Sequence, residues 1–140
     1  MFAQECLRSV LRLCELALVL PRIEPVTEEI LDGIPHSDWQ AVYKRIGNRL
    51  QRDYYWQIFE PLEVTPPQPV VGSFSDDLAD IWRDLKPGLM AMEKNDDDRT
   101  ADVVWEWRSS FETHWAKHAA GAIGGLTALC YGEFADPKRP

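Results

Sequence analysis

Apolar residues recur at intervals of three or four through most of this chain, and that period restricts the fold more than any other feature. Residues spaced in this way share one face of an α-helix, whereas a half-buried strand alternates at every second residue. The first such stretch runs from about Phe2 to Leu20. Its charged residues fall on a single polar stripe: Glu5, Arg8, Arg12 and Glu15. The other faces are apolar, so this segment is predicted to be a core helix.

Two further helices are predicted in the first half of the chain. The segment from Pro25 to Leu31 is expected to form a short helix that ends at Gly33. A longer helix is expected from Ser37 to about Leu50, because apolar residues recur there at helical spacing. Gln40 follows Ser37 by three residues, which is the spacing of a capping box at a helix start.

The middle of the chain combines an ambiguous segment with a proline cluster. The aromatic run from Asp53 to Phe59 suits a strand by composition and a continuing helix by position, and the helix is preferred. Four prolines follow within nine residues: Pro61, Pro66, Pro67 and Pro69. Since proline lacks a backbone donor and biases its predecessor away from helix, residues 61–74 are predicted to form an extended loop. This loop is expected to cross the outside of a helical bundle.

The third helix is predicted to begin at Ser75, whose hydroxyl can cap it. Asp76 and Asp77 in its first turn complement the positive end of the helix dipole. Pro87 and Gly88 are expected to kink or split this helix, because proline removes a backbone hydrogen bond. Residues 95–98 are then expected to form a turn.

The last helix is predicted to run from Thr100 to Tyr131, followed by a frayed tail over residues 132–140. Its apolar stripe comprises Val104, Trp107, Phe111, Trp115, Ile123 and Leu126. Taken together, the segments predict an all-α fold. Residues 1–140 are expected to form a single domain, a bundle of four or five helices with one Pro-rich crossover loop.

Charge and cysteine content restrict the function more than the fold. The formal net charge of -8 argues against nucleic-acid binding and against anionic membranes, because both depend on lysine and arginine. A basic partner or a cationic ligand would instead be attracted. Three separated cysteines, Cys6, Cys14 and Cys130, do not make a disulfide framework. A reducing cytoplasm is therefore expected.

Three aspartates of the third helix form the first candidate site. Asp77, Asp80 and Asp84 lie three and four residues apart and share one flank of the helix. Clustered carboxylates suit hard cations such as Mg²⁺ or Mn²⁺. The alternative is a solvated, salt-bridged face, since Asp80 can pair with Arg83 and Asp77 is explained by the helix dipole.

Two histidines of the last helix form the second candidate. His114 and His118 are four residues apart, the spacing at which a helix presents two imidazoles to a metal. His118 is predicted to face the core, where its ring nitrogens require polar partners. An aspartate of the third helix is the expected partner. Three interpretations remain open: a buried His–Asp hydrogen bond, which is preferred, a metal site shared by both helices, or a general-base histidine.

A third candidate is a surface on the last helix. Trp105 falls on the side opposite the apolar stripe, near Arg108 and Glu112. An exposed tryptophan suggests an interface, because tryptophan is favoured at binding hot spots. Packing of another helix over this side is the alternative.

Three phrases of the sequence resemble a known family. They lie at residues 54–61 (Tyr-Tyr-Trp-Gln-Ile-Phe-Glu-Pro), at residues 75–89, which contain the three aspartates, and at residues 104–118, which contain the two histidines. They are similar to an uncharacterised bacterial family, the domain of unknown function numbered 5063. The resemblance implies a compact helical bacterial protein without an assigned activity, and it supplies no catalytic residue.

Three classes of function follow. A small acidic non-enzymatic binding or regulatory module of a bacterial cytoplasm is the first expectation. A metal-dependent hydrolase with an Asp/His site between the third and last helices is the second, and a structural homo-oligomer is the third. No cofactor is expected, except a divalent metal under the second class. A protein partner or self-association is expected, with neither nucleic acid nor membrane involved.

Overall fold

Helices make up most of the structure, a computed structural model that describes residues 1–27, 30–94 and 99–132. In chain order the elements are α1 (Phe2–Leu18), α2 (His36–Gly47), β1 (Tyr54–Gln57), β2 (Val70–Ser73), α3 (Phe74–Glu93), α4 (Thr100–Ser110), a π-helical turn (Phe111–Trp115) and α5 (Ala116–Tyr131). The predicted helical bundle is confirmed, with the addition of a small sheet. None of the described helices is long and apolar enough to span a membrane.

The core lies where α1 and α3 approach α5. α1 packs against α5, while α3 is in contact with α2, α4 and α5. One buried cluster comprises Cys6, Leu7, Phe74, Ala122 and Leu126. A second comprises Val10, Ala17, Ile81, Trp115 and Ala119. Small alanines on α5 allow the helices to pack closely, which brings the polar flank of α3 beside α5.

α1 follows its predicted pattern, and it ends two residues before the predicted Leu20. The four residues of the polar stripe are exposed, whereas Cys6 is buried. Burial raises the pKa of Cys6 to about 11, and it also raises the pKa of Cys14. Both thiols are therefore protonated at neutral pH and act as small packing residues rather than as nucleophiles.

The predicted helix from Asp53 to Phe59 is wrong, because β1 occupies this segment. β1 pairs antiparallel with β2, with Tyr55 opposite Gly72 and Trp56 opposite Val71. Side chains alternate along β1, so that Tyr54 and Trp56 are exposed while Tyr55 and Gln57 turn towards the helices. This two-residue alternation suits a strand that covers a helical core on one face.

The predicted loop over residues 61–74 is also corrected. Its last residues form β2 and the first residue of α3, so the proline segment joins two strands of a hairpin instead of crossing a helical bundle. The prolines lie outside both strands. This agrees with the loss of a ladder hydrogen bond that proline would cause within them.

The first two predicted helix starts differ from the structure. None of the described residues between 21 and 35 is helical, because the Val26 and Thr27 backbone N–H groups donate to the Asp102 carboxylate of α4. α2 begins at His36, so Ser37 lies inside its first turn and makes no capping bond. The capping box is therefore absent, and α2 ends at Gly47 rather than near Leu50.

Asp53 fixes the junction between the hairpin and α3. α3 begins at Phe74, and Ser73 rather than Ser75 is the cap, accepting a hydrogen bond from the Asp76 backbone N–H. The Asp53 carboxylate accepts from the Ser73 hydroxyl at 2.9 Å and from the Ser75 backbone N–H and hydroxyl at 2.8 and 2.6 Å. These bonds satisfy donors of the first turn of α3, which would otherwise lack partners.

α3 continues through Pro87 to Glu93, so the predicted split does not occur. The Trp107 ring of α4 packs over Gly88, where a Cβ atom would clash with it. The Trp107 indole N–H donates to the Leu85 carbonyl at 3.0 Å. This contact anchors α4 on the proline-containing turn.

The last helix spans its predicted range from Thr100 to Tyr131, with a π-helical turn in its middle. A π turn inserts one residue and rotates the stripe that follows. The fully buried positions of α5 are accordingly Ala119, Ala122 and Leu126, whereas the predicted Ile123 is half-buried. The predicted turn at residues 95–98 and the frayed tail after Gly132 lie outside the described residues.

Candidate metal site

The candidate site lies where α3 faces the π-helical turn and the start of α5. All five residues that the sequence proposed as ligands meet there: Asp77, Asp80 and Asp84 from α3, His114 from the π turn and His118 from the first turn of α5. The two imidazole rings meet edge to face with centroids 4.8 Å apart. π turns inside longer helices are frequent at functional sites.

Each histidine is held by one carboxylate. His118 Nδ1 lies 2.6 Å from Asp77 Oδ1, and His114 Nδ1 lies 2.6 Å from Asp84 Oδ2. The predicted contact between His118 and an acidic side chain of α3 is confirmed. Because a carboxylate only accepts, both Nδ1 atoms carry the proton, and in the neutral ring each Nε2 is left with its lone pair. Carboxylates orient metal-binding histidines in this way in known metal sites.

Asp80 is the third member of the cluster. Its Oδ1 accepts from the Trp39 indole N–H at 2.8 Å and pairs with the Arg83 guanidinium at 2.7 Å. The other oxygen, Oδ2, lies 3.8 Å from His118 Nε2. The predicted pairing of Asp80 with Arg83 is thus present, but it uses only one carboxylate oxygen. The second oxygen faces the free side of the imidazole.

Among the residues that the structure describes, Asp80, His114 and His118 form a group that could bind a metal ion. One ligand atom from each lies within 4.8 Å of the others. An ion bonded at about 2.0–2.2 Å to each ligand needs these atoms roughly 3.3 Å apart, so small rotations of the side chains would complete the site. Two imidazoles and one carboxylate favour zinc or another first-row transition metal over the Mg²⁺ expected from the aspartates alone.

Electrostatics around the cluster favour a cation. Burial raises the pKa of Asp76, and the neighbouring charges of Asp80 and Asp77 raise it further. The hydrogen bond that His118 donates to Asp77 raises the pKa of His118 against the opposing effect of burial, and the charges of Asp77, Asp80 and Asp76 add to the rise. In both shifts the neighbouring carboxylates contribute in the same direction, and a divalent ion would neutralise part of their charge.

The exposure of His118 differs from the sequence prediction, which placed it facing the core. The His118 side chain is 23% exposed and the His114 side chain is 43% exposed. His118 therefore lies at the edge of the core and not within it. Solvent or a small ligand can therefore reach both rings. A hydrogen-bond network that serves only to stabilise the core would not need this access.

Two residues of the site were not found by sequence reasoning. Trp39 of α2 donates to Asp80, and Tyr55 of β1 donates from its hydroxyl to Asp77 Oδ2 at 2.5 Å. Burial and the bond to Asp77 raise the pKa of Tyr55, so its hydroxyl remains a donor. The resemblance phrase at residues 54–61 contained Tyr55, and the alternation of β1 would have turned it inward.

The surface around Trp105 is more enclosed than its helical position suggested. Arg108 donates to the Leu20 carbonyl and pairs with Glu112 at 2.8 Å, and Arg22 approaches Glu112 at 3.4 Å. The connection between α1 and α2 thus covers part of this face. From the sequence, a covering helix was the alternative to an interface. Trp105 remains 39% exposed, and its role at an interface stays a prediction.

The architecture and the site together define a class: small, mostly helical proteins with a two-histidine, one-carboxylate cluster between neighbouring helices. The chain belongs to the family described as "Domain of unknown function (DUF5063)", whose model matches residues 8–132. The resemblance inferred from the sequence is thereby confirmed. A comparison with curated proteins finds no match.

A solved structure has a similar fold. Protein BF1032 from Bacteroides fragilis superposes with a TM-score of 0.76 at 18% sequence identity, over 99% of this chain and 79% of that chain. At this identity the likeness shows the fold alone.

Proposed function

We propose that this protein binds a divalent transition-metal ion through Asp80, His114 and His118, and that its activity is that of a metal-dependent hydrolase. One observation carries the proposal: one ligand atom from each of the three residues lies close to the others, while a carboxylate accepts a hydrogen bond from Nδ1 of each histidine. Metal sites need that second set of contacts to fix ring orientation and tautomer. The metal-dependent class therefore ranks above the non-enzymatic module that composition favoured.

Hydrolytic chemistry follows from the number of ligands. Three protein ligands leave at least one coordination position open, as in catalytic zinc sites. A bound ion would supply Lewis-acid chemistry there by lowering the pKa of a water. The partial exposure of His114 and His118 gives that position access to solvent. Asp77 and Asp84 accept hydrogen bonds at Nδ1 of His118 and His114, and so orient the two rings.

The experiment is a thermal-shift and calorimetric titration of chelator-treated protein with Zn²⁺, Co²⁺, Ni²⁺, Mn²⁺, Mg²⁺ and Ca²⁺. An ion that binds only the folded state at 100 times its Kd stabilises that state by about 2.7 kcal/mol. We expect Zn²⁺ or Co²⁺ to raise the melting temperature of the wild type, and Mg²⁺ and Ca²⁺ to leave it unchanged.

Variants separate this site from adventitious binding. His118→Ala and Asp80→Asn should lose the shift, because each removes one of three ligands. Glu15→Gln is the control for Asp80→Asn, since Glu15 is exposed on α1 and lies outside the cluster. A wild type that no ion stabilises, or a shift that survives His118→Ala, would refute the proposal.

A non-enzymatic binding module is the second candidate, and the hairpin favours it. The outer face of the hairpin carries Tyr54, Trp56 and Val71, which are 68, 71 and 58% exposed. Aromatic side chains on an exposed surface are typical of protein interfaces. Light scattering of the wild type and of Trp56→Ala would show whether this face drives self-association, which the homo-oligomer class requires.

A further inference from the structure

Tyr55 connects the hairpin to the candidate metal site. Its side chain leaves β1 on the inner face, and its hydroxyl donates to Asp77 Oδ2 at 2.5 Å. The other oxygen of Asp77 lies 2.6 Å from His118 Nδ1. A continuous path of hydrogen bonds thus runs from the strand through Asp77 to a proposed metal ligand.

Glycines from two elements make the space that Tyr55 occupies. A Cβ atom on Gly72 would lie 2.6 Å from the Tyr55 ring, one on Gly121 would lie 2.6 Å from its hydroxyl, and one on Gly125 would lie 2.8 Å from the ring. Glycine within a helix costs about 1 kcal/mol relative to alanine. Gly121 and Gly125 on α5 thus leave room for Tyr55 together with its neighbours Gln57 and Phe74.

The ring of Tyr55 is held independently of its hydroxyl. It stacks on Phe74, the first residue of α3, with centroids 4.6 Å apart. Removing the hydroxyl alone should therefore leave the ring in place. Asp77 is 3% exposed, so a lost hydrogen bond could not readily be replaced by bulk water.

We infer that Tyr55 is a positioning residue: by holding Asp77 it orients His118, so that the placement of the hairpin sets the affinity and geometry of the metal site. This inference rests on the proposed metal binding. A displacement of β1 is transmitted to His118 through two hydrogen bonds, without any change in the ligands themselves.

The first test uses Co²⁺, whose visible absorption reports coordination number and geometry. Tyr55→Phe should weaken Co²⁺ binding roughly tenfold, the lower end of the range for residues that orient metal ligands, and it should change the visible spectrum. Tyr54→Phe is the matched control, because that neighbouring side chain is exposed, and it should change neither. A Tyr55→Phe protein with a lowered melting temperature but wild-type Co²⁺ affinity and spectrum would overturn the inference.

The second test displaces Tyr55 without altering it. Gly121→Ala places a methyl group against both the Gln57 amide oxygen and the tyrosine hydroxyl, and it should weaken Co²⁺ binding as Tyr55→Phe does. Gly124→Ala is the control on the same helix, since a Cβ atom there meets nothing within 4 Å. Equal Co²⁺ affinities in the two alanine variants would contradict the coupling.

The two proposals fail in different ways. If the wild type binds no Co²⁺, or if His118→Ala binds it equally well, the metal site itself is refuted and the coupling with it. If the wild type binds Co²⁺, His118→Ala does not, and Tyr55→Phe matches the wild type, only the role of Tyr55 is refuted.

Discussion

At the residue scale, the two histidines of the cluster have equivalent supports. Asp84 lies 2.6 Å from His114 Nδ1, as Asp77 lies 2.6 Å from His118 Nδ1. Asp77 is itself held by Tyr55, whereas the Asp84 side chain is 17% exposed. The sequence predicted both aspartates as candidate ligands, and the structure places each against Nδ1 of a histidine, where it would orient a ligand of the proposed site.

Replacing Asp84 should therefore weaken metal binding without removing a ligand. In Asp84→Ala the His114 ring loses the acceptor that fixes its tautomer, and we expect Zn²⁺ affinity to fall about tenfold or more. Calorimetric titration measures the change. Asp38→Ala, which removes an exposed charge from α2, controls for the loss of negative charge. An equal fall in both variants would mean that charge alone, and not orientation, determines affinity.

Much of the cluster was predictable at the residue scale because helical spacing is a local property. Asp77, Asp80 and Asp84 share a flank of α3 through their spacing alone, and His114 and His118 share a side of the last helix in the same way. Their meeting was expected from the need of a buried imidazole for a polar partner. Tyr55 and Trp39 were missed because they reach the site from elements whose placement depends on tertiary packing.

At the scale of elements, Asp102 of α4 tethers the connection between α1 and α2. Its carboxylate accepts from the backbone N–H groups of Val26 and Thr27 at 2.6 and 3.1 Å and from the Thr27 hydroxyl at 2.6 Å. The bonds from Thr27 are the main cause that lowers the pKa of Asp102 below its ordinary 3.8, and the N–H of Val26 contributes further. Asp102 thus holds, in a non-helical conformation, residues of the segment that was predicted to form a short helix.

The lowered pKa makes this tether dependent on pH. A carboxyl with a lower pKa in the folded state stabilises the fold at pH values above its unfolded pKa, and that contribution is lost as pH falls through the folded pKa. Asp102→Asn should thus unfold at lower urea concentration than the wild type at pH 7, and the difference should narrow as pH falls below 3.8. Urea titrations at several pH values test this, and a difference that does not change with pH would contradict it.

The hairpin shows where local patterns failed at this scale. Tyr54, Tyr55, Trp56 and Gln57 alternate with the two-residue period of a strand. A pattern of four residues is too short, however, to distinguish a strand from a continuation of the preceding helix. Their partner, Val70 to Ser73, lies beyond the proline segment, so the pairing that stabilises both strands is not a local property. The π turn could not be predicted from local sequence either, because nothing in its composition distinguishes it from an α-helix.

At the scale of the whole molecule, charge and architecture support the same account. The net charge of -8 includes Asp76, Asp77, Asp80 and Asp84 on one helix, beside the single guanidinium of Arg83. Packing of α3 against α5 sets this flank beside two imidazoles. The proposed metal site would give the expected attraction of a cationic ligand a specific place between these helices.

The most direct measurement of the central claim is a crystal structure of the Zn²⁺-loaded protein with anomalous diffraction recorded at the zinc absorption edge. The account predicts one strong anomalous peak within about 2.0–2.2 Å of Asp80 Oδ2, His114 Nε2 and His118 Nε2, with Asp77 and Asp84 still bonded to the opposite nitrogens. Zinc found elsewhere on the protein, with these three side chains free of it, would contradict the account.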